Sequence, residues 1–371
     1  MDSLFDLRKA QFIAGLWELY PGWAVREGNH AFDSLLIVPD AAHRLAQLQF
    51  SRGQREALNM FEPGSLSPNQ RTDLDLMRNY LDRIEWRIEH YREYAWNPAS
   101  YNVGGGFIQV LNNRQLSPAE KLQRISARLE QVPAYYEAAR QNITDPTLEH
   151  TELALLQSRG AIPVFATRIP DTLALANLDE GATRVLSERL DAALVALRGY
   201  ISWLEERKSD LLSNGSRSYR LGKALYDRKF ALEIQSDYSA REVYEKALAE
   251  RDSIHQRMIR LADQVWEQHW PGEVAEGQAL EKVAACIDRL SAQHVQPEEF
   301  LIAIERQIPE LVDFVRDHNL LHIDASKPLV VRPTPLYMRG GGAGASISAP
   351  GPYDPKGNTY YNVTPLDRYS A

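Results

Sequence analysis

Apolar residues recur in steps of three and four along most of the 371-residue chain, and this spacing predicts long amphipathic helices. Ser67-Pro68 joins an N-cap residue to a proline at the first helical position, which predicts a helix start. The stripe that follows consists of Leu74, Met77, Leu81, Ile84, Ile88 and Tyr91. It is expected to end before Pro98, which disfavours helical geometry in the preceding residue. Capping boxes at Ser117–Glu120 and Ser239–Glu242 predict two more helix starts, so the fold is expected to be mainly α.

The pattern changes after Lys327, where the chain becomes rich in glycine, proline and tyrosine. Such an extended segment after a helical body predicts a small β element near the C-terminus. Residues 345–349 are expected to form a strand, with residues 360–363 beside it. Pro350 and Pro352 cannot donate hydrogen bonds to a β ladder, so they favour the end or the edge of a sheet.

This segment also contains the candidate substrate-binding residues. They are Arg339, Gly342, Ala345, Ser346, Tyr353, Tyr360, Tyr361 and Asn362. Glycines let a ligand approach the main chain closely, because they carry no side chain. An edge strand at 345–349 would offer free N–H and C=O groups to an extended peptide. The alternatives are a flexible hairpin turn for the glycines, surface or packing positions for the tyrosines and a solvated Arg339.

The helical pattern is compatible with one domain over residues 1–371. Asn214-Gly215-Ser216 is the best candidate for a linker, which would separate possible halves at 1–213 and 217–371. The chain ends a few residues after Pro365 and Asp367, where a new helix could begin. We therefore expect the domain to be incomplete at its C-terminus.

Charge and hydropathy argue against two classes of partner. The formal net charge is −8 and both signs are spread along the chain, whereas a nucleic-acid binder typically has a clustered basic surface. No stretch approaches 18 consecutive apolar residues, so no membrane span is predicted. The N-terminus lacks the basic start and unbroken apolar run of a signal peptide. The sequence leaves the localisation open between a cytoplasmic protein and an exported parent whose signal was removed.

Candidates for metal ligands or nucleophiles are few. His318 and His322 have the spacing of zinc ligands on a helix, but Asn319 stands where a peptidase helix carries its glutamate. We interpret the pair as a helix C-terminus, where histidine favours the macrodipole. Cys286 is the one cysteine, so no intrachain disulfide can form, and its apolar setting is typical of a small core residue. No metal ligand and no catalytic residue is assigned in this chain.

Several short segments, taken in order, resemble a bacterial family known as domain-of-unknown-function family 885. Those in the first 226 residues are Gly28-Asn29-His30-Ala31-Phe32-Asp33, Trp96-Asn97-Pro98 with Tyr101, Pro133-Ala134-Tyr135-Tyr136 with Ala139 and Asn142, and Leu221-Gly222-Lys223-Ala224-Leu225-Tyr226. Those in the C-terminal segment are Pro333, Pro335, Ala345, Ser346, Pro350 and Tyr361-Asn362-Val363. The resemblance spans nearly the whole chain.

That family distantly resembles the helical zinc carboxypeptidases and oligopeptidases, whose zinc ligands lie on an H-E-x-x-H helix. The resemblance implies a large peptidase-like helical body with a deep cleft, to which this chain would contribute cleft walls and a substrate-pairing strand. It implies zinc as a cofactor of the full-length parent, with no cofactor in this chain, and a peptide or peptide-like substrate. The alternative function is a non-catalytic helical scaffold or peptide-binding protein.

Overall fold

Helices dominate the structure, a computed structural model that describes residues 2–113, 115–274, 277–324, 326, 329–339, 344–354 and 357–366. The first ten α-helices are α1 (Asp2–Leu19), α2 (Pro21–Arg26), α3 (Ala41–Leu58), α4 (Pro68–Trp86), α5 (Glu93–Trp96), α6 (Gly104–Asn112), α7 (Pro118–Asn142), α8 (Leu148–Pro163), α9 (Ile169–Ala174) and α10 (Glu180–Asn214). They are followed by α11 (Lys223–Ile234), α12 (Ala240–His269), α13 (Leu280–Ser291) and α14 (Phe300–Asp317). This composition confirms the mainly α prediction.

The predicted helix starts are confirmed, and the reason is local hydrogen bonding. The Oγ atoms of Ser67, Ser117 and Ser239 each accept a hydrogen bond from the main-chain N–H three residues later. The side chain at that later position, Gln70, Glu120 or Glu242, accepts from the serine N–H in return. Each box therefore satisfies two N–H groups at a helix start.

The predicted end of α4 needs one correction. The helix was expected to continue to Trp96, but it passes through a π-helical segment at Arg87–Tyr91 and breaks at Arg92. Arg92 has a φ of 49°, a left-handed conformation that cannot continue a right-handed helix. The short helix α5 follows, and the Trp96 indole N–H donates to the Tyr91 carbonyl at 2.9 Å, which satisfies a main-chain acceptor left by the break.

The chain folds into two compact units. We call residues 1–221 and 322–364 the cleft unit, and residues 222–321 and 365–371 the second unit. A large buried cluster of the cleft unit is drawn mainly from α6, α7, α8 and α10, and another from α1, α3 and α4. The second unit has a small buried cluster, which among the described residues consists of Ala262, Trp266, Val283 and Cys286. The predicted halves at 1–213 and 217–371 stay a prediction.

A small sheet of the cleft unit lies near the end of the chain, as predicted. Its strands are β1 (Leu329–Pro333), β2 (Ala345–Ser348) and β3 (Thr359–Val363). Their order is β1–β3–β2, with β1 parallel and β2 antiparallel to β3. The short turn after β1 packs directly on α8, because a Cβ at Gly160 would lie 2.9 Å from the Leu336 carbonyl. Asn102 Nδ2 also donates to the Tyr337 carbonyl at 3.2 Å, which ties this turn to the loop before α6.

Candidate functional site

A deep cleft of about 1720 Å³ lies within the cleft unit. Its walls come from the end of α1, from α2, from the loop after α2, from α6 and from the sheet with the loop after β2. Lining residues include Trp23, His30, Leu36, His43, Gly106, Gln109, Asn113, Arg128, Tyr135, Arg332, Ile347, Ser348, Pro350, Asp354 and Tyr360. The mixture of polar and apolar groups can bind a molecule that has both kinds of surface.

One edge of β2 lies along this cleft. Among the described residues β2 has a strand neighbour on one side only, and Ile347 to Pro352 line the cleft. Thr364 N–H donates to the Gly344 carbonyl at 2.8 Å. Because hydrogen-bonded pairs alternate in an antiparallel ladder, Ser346 and Ser348 are bonded to β3. Ala345 and Ile347 therefore direct their N–H and C=O groups away from β3.

Three predicted site residues share one face of the sheet. Ser346 pairs with Asn362, and Tyr360 lies two residues before Asn362 on β3. Asn362 is fully buried; its Oδ1 accepts from Arg332 Nε at 2.7 Å and its Nδ2 donates to Ser348 Oγ at 2.9 Å. The amide thus connects all three strands, which makes it a support for the cleft wall. Of the predicted residues, Tyr360 lines the cleft itself.

Arg332 is a cleft residue that sequence reasoning missed. Its guanidinium carbon lies 3.8 Å from the centroid of the Tyr360 ring, and both side chains line the cleft. The stacking and the bond to Asn362 hold the guanidinium in a fixed position, where it presents positive charge beside β2. The register of two parallel strands brings these residues together, and the sequence gives no local signal for that pairing.

The remaining predicted residues lie elsewhere. Ala345 and Tyr361 belong to the opposite face of the sheet by strand alternation. The Tyr353 hydroxyl accepts from the Trp17 indole N–H at 3.3 Å, so this tyrosine connects the loop after β2 to α1. Arg339 Nε donates to the Thr334 carbonyl at 2.8 Å and braces the turn after β1. Gly342 lies outside the described residues.

The loop after β2 is held against the end of α2 by a close main-chain crossing. Tyr353 N–H donates to the Glu27 carbonyl at 2.9 Å. A Cβ at Gly351 would lie 2.2 Å from Glu27 Cα, so only glycine fits there without a shift of the main chain. Gly28 has a φ of 84°, and a Cβ there would lie 2.6 Å from the Asp354 main-chain nitrogen, which explains a glycine at that position. The crossing fixes the wall that carries the free edge of β2.

A charged cluster lies beneath another part of the cleft. Asp33 is fully buried, and its Oδ2 accepts from Arg124 Nη1 at 2.7 Å. His30 Nδ1 lies 3.2 Å from the Asp33 carboxylate, and its Nε2 is buried without a hydrogen-bond partner among the described residues. Arg128, also buried, donates from Nε to the Asp33 main-chain carbonyl at 2.6 Å. His30 and Arg128 both line the cleft.

The described residues do not fit a zinc site. Among them no group of three or more histidine, cysteine, aspartate or glutamate side chains is placed to hold a metal ion. The helix α14 ends at Asp317, and His318 Nδ1 lies 2.9 Å from the Phe314 carbonyl at its end. Asn319 has a φ of 48°, so the helix does not continue toward His322. The pair therefore does not share a helical face.

The chain belongs to the family of bacterial proteins of unknown function called DUF885, which matches residues 21–370. The predicted family resemblance is thereby confirmed, whereas the more distant likeness to zinc peptidases stays a prediction. A comparison with curated proteins finds no match. In the part of the chain that the structure describes, no helix combines the length and apolar character needed to cross a membrane.

Two solved structures are similar over almost the whole chain. One, a candidate lipoprotein of unknown function from Shewanella oneidensis, shares 40% identity with a TM-score of 0.80; the match covers 99% of this chain and 65% of that one. The other, a candidate lipoprotein from Colwellia psychrerythraea, is 12% identical with a TM-score of 0.67, covering 98% of this chain and 68% of that one. The second likeness concerns the fold alone. This chain thus spans 65% of the length of the Shewanella protein.

Proposed function

We propose that this chain forms the peptide-binding cleft of a peptidase-like hydrolase, in which an extended peptide pairs with β2. The observation that carries the proposal is the outward direction of the Ala345 and Ile347 main-chain groups on a strand whose last residues, Ile347 and Ser348, line the cleft. Such an edge can accept a further strand from a ligand through main-chain hydrogen bonds. Binding of this kind reads the main chain of a peptide and tolerates many side chains.

The surroundings of the edge support a peptide over a compact ligand. The cleft of about 1720 Å³ exceeds the space that a drug-sized molecule fills. The buried amide of Asn362 ties β2 to β3, and the crossing at Gly351 fixes the loop that follows β2. A fixed edge loses little conformational entropy when a peptide binds, which favours affinity.

Hydrolysis is the second part of the proposal, and it belongs to a form of the protein as long as its solved relatives. Zinc would supply the chemistry there, and no residue described in this chain is assigned to hold it. The matching assay measures cleavage of an unstructured peptide by that longer form, with and without a chelator. Peptide binding without cleavage would instead favour the alternative, a non-catalytic peptide-binding protein.

A scan of N-methylated peptides tests the β2 pairing directly. The probe is a fluorescent hexapeptide of alternating alanine and valine, with a single N-methyl group moved along its main chain. Because outward groups on β2 alternate, N-methylation at every second position should weaken binding by about tenfold or more, with little effect between these positions. A loss that is independent of position would contradict the pairing.

A pair of variants tests the same edge from the protein side. Ile347→Pro removes the outward N–H, whereas Ile347→Ala shortens the side chain and keeps the N–H. The proline variant should bind the hexapeptide about tenfold more weakly, while the alanine variant should stay within about threefold of the wild type. Equal losses in both variants would show that the side chain matters and the main chain does not.

A further inference from the structure

Arg128 carries a charge in the floor of the cleft that the β2 edge does not use. The residue is 2% exposed, and Nε makes its one hydrogen bond to another described residue, the Asp33 main-chain carbonyl. Nη2 is buried without a partner among the described residues. A buried guanidinium N–H without an acceptor is destabilising, so a group with acceptor oxygens is expected to bind there.

The charges around Arg128 do not balance. Both oxygens of the Asp33 carboxylate are engaged elsewhere, Oδ2 with Arg124 at 2.7 Å and Oδ1 with His30 Nδ1 at 3.2 Å. Arg124 and Arg128 together with Asp33 leave one surplus positive charge before His30 is counted. Burial lowers the pKa of Arg128 to about 10, against the opposing effect of Asp33, and this value still leaves the guanidinium protonated at neutral pH.

The missing side chain at Gly106 leaves the room that this guanidinium occupies beside α6. A Cβ at Gly106 would lie 2.7 Å from Arg128 Nη1, so any larger residue at that position would push against the guanidinium. Gly106 and Arg128 both line the cleft.

We propose that Arg128 forms a carboxylate subsite of the cleft and binds the free C-terminal carboxylate of a peptide. This inference rests on the proposed function, since it names the class of peptide that the cleft takes. A guanidinium is a planar fork that matches a planar carboxylate with two parallel hydrogen bonds. One surplus charge is also suited to a monovalent carboxylate, whereas a phosphate dianion would retain an unbalanced negative charge.

Isothermal titration with a matched pair of ligands tests the subsite. The probes are N-acetyl-trialanine as the free acid and the same peptide as its C-terminal amide. The wild type should bind the acid about tenfold or more tightly than the amide, because hydrogen bonds to a charged partner are strong. Equal affinities for acid and amide would overturn the proposal.

Two neighbouring glycines provide a variant and its control. Gly106→Ala should push the guanidinium aside without a clash against main-chain atoms, and the acid should then lose its advantage. Gly105→Ala adds the same methyl group, but its Cβ would stand 3.6 Å from the Tyr337 ring, an ordinary contact, so the preference should persist. Arg128→Gln should abolish the preference as well, with a thermal melt to check folding. A preference that survives in Gly106→Ala would overturn the assignment to Arg128.

Combining the N-methylation scan with the acid–amide comparison distinguishes failure of the subsite from failure of the proposed function on which it rests. If N-methylation weakens the amide peptide at alternate positions while acid and amide bind equally, the subsite is wrong and the β2 pairing stands. If the acid is preferred without any alternation, the pairing is wrong and the subsite stands.

Inorganic phosphate and acetate serve as competitors at equal concentration. Stronger displacement of the acid peptide by phosphate would overturn the carboxylate assignment in favour of a phosphate site.

Discussion

The two compact units bury their apolar residues very differently. In the cleft unit, a helix such as α7 buries residues along most of its length, from Leu122 to Asn142. In the second unit the 30-residue α12 buries Ala262 and Trp266, and no residue of α14 is buried, with Leu311 56% and Phe314 52% exposed. The comparison teaches that a strongly amphipathic helix does not by itself produce a core. The cleft unit buries the larger clusters of apolar residues, and it also carries the proposed binding edge. Four predictions test this contrast.

The largest effect is expected at the main-chain crossing of the cleft unit. Gly351→Ala places a Cβ 2.2 Å from Glu27 Cα, so the main chain must move and the loop after β2 must shift. We expect a loss of about 4 kcal/mol in the free energy of unfolding, measured by urea denaturation. Gly22→Ala, where no atom lies within 4 Å of the added Cβ, is the control and should change stability little. A tolerated Gly351→Ala would mean that the crossing is looser than described.

Matched core truncations compare the two units directly. Leu129 is fully buried in a large cluster of the cleft unit, and Leu232 is 3% exposed in α11 of the second unit. Leu129→Ala should cost about 4 kcal/mol, near the upper range for such changes, because dense surroundings cannot collapse into the cavity. Leu232→Ala should cost about 2 kcal/mol, since sparse packing relaxes more easily. Equal losses in urea denaturation would remove the contrast between the units.

Helix caps should behave alike in both units, because their stabilisation is local. Ser117→Ala at α7 and Ser239→Ala at α12 each remove a capping box. Each change should lower stability by about 1 kcal/mol. Hydrogen exchange should place the loss caused by Ser117→Ala in the cleft unit and the loss caused by Ser239→Ala in the second unit. A loss that spreads through both units from either site would contradict the division into units.

The smallest expected effect depends on pH and is confined to the cleft unit. Burial lowers the pKa of His43 below 6.5, while Asp40 raises it and Arg44 lowers it. The unfolded chain therefore binds this proton more readily than the folded one, so the stabilisation is complete above the unfolded pKa and falls as the pH drops below about 6.5.

The test of this prediction is urea denaturation at several pH values between 5 and 8. His43→Gln should flatten the decline in stability between about pH 6.5 and pH 5. Adding His150→Gln should flatten it further, because burial also lowers the pKa of His150. An unchanged slope in both variants would show that the acid sensitivity of the cleft unit has another source.

Much of the fold could be predicted because its signals are local. The serines at 67, 117 and 239 act through atoms three residues away, so the helix starts follow from the sequence. Ala345 to Ser348 and Thr359 to Val363 lie close together in sequence and pair as expected. The break at Arg92 could not be predicted from the sequence. The hydrogen bond that supports it, from the Trp96 indole N–H to the Tyr91 carbonyl, forms only in the folded state.

Most of the candidate site depends on residues that are distant in sequence. Arg332 meets Tyr360 through the strand register, and Arg128 meets Asp33 across 95 positions. No periodic pattern or short motif marks such pairs in a single sequence. Tyr353 illustrates the reverse case, because a tyrosine beside a predicted edge strand turns out to bond to Trp17 of α1. Spacing alone cannot distinguish a ligand-binding hydroxyl from one that anchors a loop.

The central claim is that the free edge of β2 accepts the main chain of a peptide, and amide hydrogen exchange read by NMR at single-residue resolution tests it most directly. In the free protein the N–H groups of Ser346 and Ser348, bonded to β3, should exchange slowly, while those of Ala345 and Ile347 exchange fast. Saturation with the hexapeptide should slow exchange selectively at Ala345 and Ile347. Binding that leaves these two amides as fast as before would contradict the account.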